Sequence, residues 1–200
     1  MEENDNNSFF NFGKILEYSK SKRTETYDNG DRYEGEFKLF KREGKGIYYY
    51  IDGDRYEGDF KNGLFEGKGI MYYNDGDRYE GDWKNDKREG KGIMYYKTGN
   101  RYEGEWKNDN KEGKGIYYWK SGDRYEGDFK NGNRDGKGIM FYENGDIYDG
   151  DYKNDKREGK GIFNYSNGEI EMGNFVNGRN EGRHLKLHVL KNLIHKFIKY

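Results

Sequence analysis

The sequence predicts an all-β protein, a single elongated and twisted array of stacked β-hairpins followed by a short C-terminal α-helix. The main observation is a tyrosine that recurs every 23 residues without insertion, at Tyr33, Tyr56, Tyr79, Tyr102, Tyr125 and Tyr148. A glycine follows each tyrosine by two residues, and an aromatic residue follows it by four. A Gly-Lys-Gly-Ile block completes each repeat, from residues 44–47 to residues 159–162. A fixed period of this kind is typical of repeat arrays, in which each unit buries a face only against its neighbours.

The composition is consistent with a thin array rather than a thick core. Hydrophobic residues make up 31% of the chain and charged residues 38%, with a mean hydropathy of −1.42. Such values alone favour disorder. The 18% aromatic content favours structure instead, because aromatic side chains bury large areas and suit strands.

Composition also limits which cellular compartment and which classes of partner are expected. The chain has no cysteine, which excludes disulfides and cysteine-based zinc sites and favours a cytoplasmic location. Residues 1–26 form an acidic and polar segment that we predict to be poorly ordered or a partial cap, and they show no secretory signal. No apolar stretch is long enough to span a membrane. The net charge of −1 argues against a nucleic-acid partner.

Each repeat of the predicted array, residues 27–182, reads as a hairpin. In "RYEGDF", residues 55–60, alternation places Tyr56, Gly58 and Phe60 on one face and the charged residues between them on the other. The following "KNGLFEG" is predicted to turn, and "KGIMYY" to form the second strand. Because a strand glycine permits close approach, an aromatic ring could lie over Gly58.

We predict that the aromatic residues of the repeat face are structural and are also candidates to line a groove. They are Tyr33, Phe37, Tyr56, Phe60, Tyr79, Trp83, Tyr102, Trp106, Tyr125, Phe129, Tyr148 and Tyr152.

The stretch "YEGDWKNDKREGKGIMYYKTG", residues 79–99, resembles the MORN repeat (membrane occupation and recognition nexus). The resemblance covers residues 33–168 in six units, with a half-unit before them and a decayed seventh after them. In the seventh unit Glu171 replaces the tyrosine and His184 replaces the second glycine of the Gly-Lys-Gly block. The resemblance implies a hairpin array that works in cytoskeletal, ciliary, cell-division or membrane-junction assemblies. Choline-binding cell-wall repeats are the rival family, but their period is nearer 20 residues and they are richer in tryptophan.

The C-terminal residues 183–200 are predicted to form an amphipathic, basic helix. The apolar face of this helix contains Leu187, Leu190, Leu193, Ile194 and Phe197. Because a stack of hairpins ends in an open edge, we expect this helix to cap the array. A membrane-surface or partner-seeking helix is the alternative.

No residue pattern indicates catalysis, a cofactor or a metal site. "GLFEGKGI", residues 63–70, has three residues where a phosphate loop needs four, and glycine follows its lysine. All three histidines lie in the last 17 residues, so no Ser-His-Asp set is credible. The sequence therefore predicts a protein that is not an enzyme.

The predicted function is that of a scaffold or adaptor that binds a protein partner along an elongated aromatic groove. Tyrosine supplies contact area at low entropic cost and marks interfaces. The alternative is peripheral binding to anionic phospholipids or phosphoinositides. Residues 56–78 carry three basic and five acidic residues, so the C-terminal helix is the better candidate for that role.

Overall fold

The computed structural model describes residues 21–188, which form fifteen antiparallel strands in one sheet that does not close on itself. Neighbouring strands in the sequence are neighbours in the sheet throughout, which confirms the all-β hairpin array. The strands are β1 Ser21–Thr26, β2 Arg32–Lys38, β3 Lys41–Tyr49, β4 Arg55–Lys61, β5 Leu64–Tyr72, β6 Arg78–Lys84, β7 Lys87–Tyr95, β8 Arg101–Lys107, β9 Asn110–Tyr118, β10 Arg124–Lys130, β11 Asn133–Phe141, β12 Ile147–Lys153, β13 Lys156–Asn164, β14 Glu169–Val176 and β15 Arg179–His188. The chain divides into two compact units, an N-terminal unit that ends at Gly92 and a C-terminal unit that begins at Ile93.

Each repeat joins its two strands through a two-residue turn, here called the hairpin tip. In the second repeat the tip is Asn62–Gly63, with φ angles of 52° and 90°. Two positive φ angles define the turn whose twist matches that of paired strands. The prediction that residues 61–67 all form a turn is therefore wrong: two residues suffice, Lys61 pairs with Leu64, and the following residues belong to β5.

The predicted faces of the strands are correct, and one face holds the core. Tyr56 is fully buried and Phe60 is 3% exposed. Their rings meet edge to face with centroids 5.2 Å apart, and the Tyr56 ring meets Trp83 of the next repeat in the same way at 5.3 Å. Each repeat tyrosine of this kind thus joins two repeats through aromatic contacts.

A pair of glycines lies beneath each repeat tyrosine. Gly58 of β4 faces Gly69 of β5 across the ladder, and the Tyr56 ring lies over both. The Tyr56 hydroxyl donates a hydrogen bond of 3.0 Å to the Asp59 carbonyl oxygen. A Cβ on either glycine would overlap the ring, which confirms the expected approach of a ring to Gly58.

Alkaline pH is expected to unfold the protein through its buried tyrosines. Burial raises the pKa of the Tyr33 and Tyr148 hydroxyls to about 12 and also raises the pKa of Tyr102. The hydroxyl of a tyrosine in the unfolded chain ionises at about pH 10. Because the folded pKa is the higher one, the stability from these tyrosines is complete below about pH 10 and is lost as the pH rises towards about 12. Urea denaturation across this range measures the decline, and a midpoint unchanged up to about pH 11 would contradict it.

The sheet extends beyond the predicted array at both ends. Ser21–Thr26, assigned above to the N-terminal segment, form β1 and pair with β2. The seventh repeat also continues the sheet, as the hairpin β14–β15.

The predicted C-terminal helix is wrong for residues 183–188, which belong to β15. There Leu185 pairs with Met172 and Leu187 with Ile170, so the open edge of β14 provides hydrogen-bond partners that favour a strand. The other apolar-face residues, Leu190, Leu193, Ile194 and Phe197, lie outside the described residues. Within residues 21–188 no helix is long and apolar enough to cross a membrane.

Candidate partner-binding surfaces

The side of the sheet opposite the core, here called the groove face, carries an open groove in the N-terminal unit. The floor of the groove is the backbone of the glycine pairs. One wall is a row of alternating glutamate and isoleucine, and the other is a row of lysines. The wall residues are Glu34, Ile47, Glu57, Ile70, Glu80, Lys45 and Lys68. Because the glycines of the floor have no side chains, an extended segment of a partner can approach the backbone closely as it crosses the groove.

The lysine wall is made of ion pairs between neighbouring hairpins. Lys45 Nζ lies 2.7 Å from Asp59 Oδ1, and Lys68 Nζ lies 2.5 Å from Asp82 Oδ1. The other oxygen of Asp82 accepts the Lys91 amide at 2.9 Å. Burial raises the pKa of Asp82, but Lys68 and that amide outweigh it, so the pKa is lowered overall. The lysines are therefore held in place and largely neutralised by carboxylates.

Beyond the glutamate and isoleucine wall, arginines stack on aromatic rings. The Arg55 guanidinium lies 4.3 Å from the Tyr72 ring centroid and 3.7 Å from a Glu57 carboxylate oxygen. The same arrangement recurs at Arg101 and Tyr118 in the C-terminal unit. Such pairs present flat amphipathic surface, which is enriched at protein interfaces.

The groove of the C-terminal unit is more apolar near its end. It is lined by Lys137, Asp149, Lys160, Ile162, Met172 and Arg183, with glycine and asparagine between them. Met172 stands where the first five repeats have glutamate and the sixth has Asp149. Ile170 stands where the first five repeats have arginine and the sixth has Ile147. Leu185 and Leu187 pair with these two residues and are 56% and 45% exposed.

The structure corrects the prediction of an aromatic groove. All twelve repeat-face aromatics are buried, with exposures of 0–5%. Their rings pack over the glycine pairs and against one another, so they form the core and leave the groove to the opposite face.

Cations on the core face were not recognised in the sequence. The Arg42 guanidinium lies 4.6 Å from the Tyr48 ring centroid, and its Nε donates to the Gly63 carbonyl oxygen at 3.1 Å. Lys111 lies 5.0 Å from the Tyr117 centroid, and burial lowers the pKa of its ammonium group. The sequence does carry a signal for these cations. The residue nine positions after the repeat tyrosine is basic in five of the seven repeats, namely Arg42, Arg88, Lys111, Arg134 and Arg157.

The first hairpin tip differs from the others. It consists of Leu39 and Phe40, which are 53% and 81% exposed and have φ angles of 48° and 64°. Leu64, at the start of β5, is 37% exposed. We call Leu39, Phe40 and Leu64 the tip patch. The sequence shows the anomaly directly, since the six later tips are Asn–Gly or Asn–Asp.

The seventh repeat replaces the tyrosine and one glycine by a matched pair. Glu171 is 3% exposed and accepts hydrogen bonds from the Tyr165 hydroxyl at 2.7 Å and from Asn180 Nδ2 at 2.6 Å. Burial raises its pKa, but Tyr165, Lys186 and His184 outweigh that effect and lower it.

The His184 ring lies against Gly173, where a tyrosine hydroxyl lies in the other repeats. Its Nδ1 is 3.0 Å from Glu171 Oε1 but is not aligned for a hydrogen bond. The His184 ring, from the neighbouring strand β15, thus occupies the place that the repeat tyrosine fills in the other repeats.

Residues 21–188 contain no group of three or more His, Cys, Asp or Glu residues placed to hold a metal ion. A hairpin repeated in register, with an aromatic core on one face and a groove on the other, defines a β-hairpin repeat protein. The MORN repeat model matches six consecutive segments, residues 33–55, 56–78, 79–101, 102–124, 125–147 and 148–170. The chain therefore belongs to the MORN-repeat family.

Comparison with solved structures finds similarity to two domains determined in complex with peptide segments. The TCP domain of Drosophila melanogaster SAS-4, in complex with a proline-rich motif of Ana2, has 16% sequence identity and a TM-score of 0.46, covering 84% of this chain and 90% of that one. The TCP10 domain of Danio rerio CPAP, in complex with a STIL peptide, has 12% identity and a TM-score of 0.34, covering 84% and 100%. No curated protein matches the sequence.

Proposed function

We propose that the protein is a non-enzymatic MORN-repeat scaffold that binds a segment of a partner protein in the groove of the groove face. The observation that carries the proposal is the groove itself, with its glycine floor and its isoleucines set between charged residues. The twelve repeat-face aromatics are poorer candidates, because their rings are already buried within the chain.

The groove offers a partner both apolar contact and charge. Ile47 and Ile70 stand on alternate strands, about 10 Å apart at the usual strand spacing. Glutamates pair with them across the ladder, as Glu57 does with both. A partner segment that crosses the strands would meet an apolar side chain once in each repeat, with polar groups beside it.

We place this scaffold in the cytoplasm, in a cytoskeletal or membrane-associated assembly. The family membership supports this setting. The repetition of one groove pattern along several hairpins also suits a protein that aligns an extended partner.

Adding charge to the groove is expected to weaken partner binding while the fold is kept. The variant Ile47→Lys/Ile70→Lys places two cations among half-buried groove residues, and Ile51→Lys is its matched control because Ile51 is 73% exposed and lies outside the groove. Displayed random peptides selected on the full chain serve as probes. We expect affinity to fall at least about tenfold for the double variant and to stay unchanged for the control. Failure to select any peptide, or equal binding by the double variant, would count against the groove.

Binding to an anionic membrane is the second candidate, supported by the exposed Leu185 and Leu187 and by the basic sequence that follows them. Vesicles of phosphatidylcholine with a phosphoinositide test it, with the full chain and with residues 189–200 deleted. The deletion starts at 189 because residues up to His188 belong to β15. Binding by the full chain that is lost on deletion would favour the membrane role over the groove.

A further inference from the structure

We propose that the tip patch is a docking site for an acidic segment of a partner protein that carries apolar side chains. This inference rests on the proposed scaffold function. It adds a second contact site, with its own chemistry, at the hairpin tips.

The backbone of the first tip is held in a conformation that its residues disfavour. Leu39 and Phe40 both have positive φ, which asparagine, aspartate and glycine adopt more readily than bulky residues do. Every later tip uses the favourable residues for the same turn. Strain that is retained at an exposed position points to a role in recognition, because folding alone would be served better by Asn–Gly.

The second tip is followed by a third exposed apolar side chain, on the side of the sheet where the hairpin tips lie. The Gly63 amide donates to the Arg42 carbonyl oxygen at 2.9 Å, and the Arg42 side chain bonds back to the Gly63 carbonyl oxygen. The second tip is therefore bonded to Arg42, two residues after the first tip, and Leu64 follows the second tip directly. Exposed apolar groups gathered in this way are typical of interaction sites.

Three exposed lysines flank the tip patch, and the carboxylates near it are engaged by backbone amides, Glu43 by that of Asn62 and Asp86 by that of Phe65. Lys38 and Lys41 flank the first tip in the sequence, and Lys61 precedes the second; all three are exposed. A partner whose apolar side chains enter the patch would place its flanking residues beside these ammonium groups. Charge complementarity therefore favours a partner segment rich in aspartate and glutamate.

The other tips of the N-terminal unit favour a protein over a lipid surface. The third tip ends in Asp86, and the Glu43 carboxylate accepts the Asn62 amide at the second tip at 3.0 Å. A flat anionic membrane would have to lie against these carboxylates as well as the lysines, whereas a peptide can place its acidic residues beside the lysines. A protein segment can contact the tip patch alone.

The test replaces the first tip with Asn–Gly, the pair of residues found at later tips such as Asn62–Gly63. The double variant Leu39→Asn/Phe40→Gly is expected to keep the fold and to raise the melting temperature by roughly 2–6 °C, because the new turn is unstrained. Displayed random peptides of about 16 residues, selected on the full wild-type chain, should be enriched in Asp and Glu next to Leu, Ile or Phe. Affinity of these peptides for the variant should be at least about tenfold weaker.

Ile51→Asn is the matched control. It removes an equally exposed apolar side chain at the other end of β3, and the next repeat has Asn74 at that position. This variant should keep full affinity for the acidic peptides.

Three results would overturn the inference. One is a variant less stable than the wild type, which would mean that the tip packs against this chain itself. Another is peptides that are not acidic or that bind the variant equally well. The third is binding of phosphatidylcholine–phosphatidylserine vesicles by the wild type and not by the variant. Peptides that bind both chains alike and respond only to Ile47→Lys/Ile70→Lys would leave the groove function intact and refute the tip patch alone.

Discussion

Replacing Trp106 with alanine is expected to lower the free energy of unfolding by about 3–5 kcal/mol, as large-to-small changes in a packed core do. Trp106 is 5% exposed, and its ring meets that of Tyr102 edge to face at 5.3 Å. A single-sheet array has few layers that can collapse into the resulting cavity, so the loss should approach the upper part of this range. Urea denaturation followed by circular dichroism measures it.

Glu103→Ala provides the control on the same strand. Glu103 is exposed on the groove face, and one of its carboxylate oxygens lies 3.6 Å from Arg101. Exposed ion pairs contribute little, so the cost should stay below about 0.5 kcal/mol. Equal losses for the two variants would mean that the faces of β8 are wrongly assigned.

Replacing Gly58 with alanine should be the most damaging of the small changes. A Cβ at this position would lie 2.5 Å from the Gly69 Cα and 2.6 Å from the Lys68 carbonyl oxygen, as well as against the Tyr56 hydroxyl. Two of these atoms are backbone, so relief requires the strands to separate rather than a side chain to turn. Overpacking of this kind costs about 1–3 kcal/mol or more, and we expect the upper end.

Lys61→Ala, an exposed position on the same strand, should change the free energy of unfolding by less than about 0.5 kcal/mol. Hydrogen exchange would add a local readout, since the amides of β4 and β5 should lose protection in the glycine variant. If Gly58→Ala proves as stable as Lys61→Ala, the close packing of ring and glycine pair described here is incorrect.

The predictions for Trp106 and Gly58 test two requirements of the same packing arrangement. The core face must be filled by rings, and the ladder beneath those rings must be free of side chains. Both requirements come from the burial of Tyr56 and its counterparts over paired glycines. The composition of the chain, rich in both tyrosine and glycine, follows from them.

Several features of the fold could be predicted from the sequence because they depend on local order. The period of the tyrosines and the alternation around Tyr56, Gly58 and Phe60 determined the hairpins and their faces, since strand side chains alternate whatever lies around them. The anomaly at Leu39–Phe40 was also present in the sequence, but its meaning depended on knowing that both residues form the tip and have positive φ.

Other features were decided only by tertiary structure, because they join residues that are distant in the chain or choose between equally allowed local states. The register placed Gly69 opposite Gly58, and the pairing of adjacent hairpins brought the Arg42 side chain to the Gly63 carbonyl oxygen. At the end of the array, Leu185 and Leu187 fit one face of a helix or one face of a strand. The open edge of β14 decided for a strand, because its unpaired backbone groups gain hydrogen-bond partners only if β15 is extended.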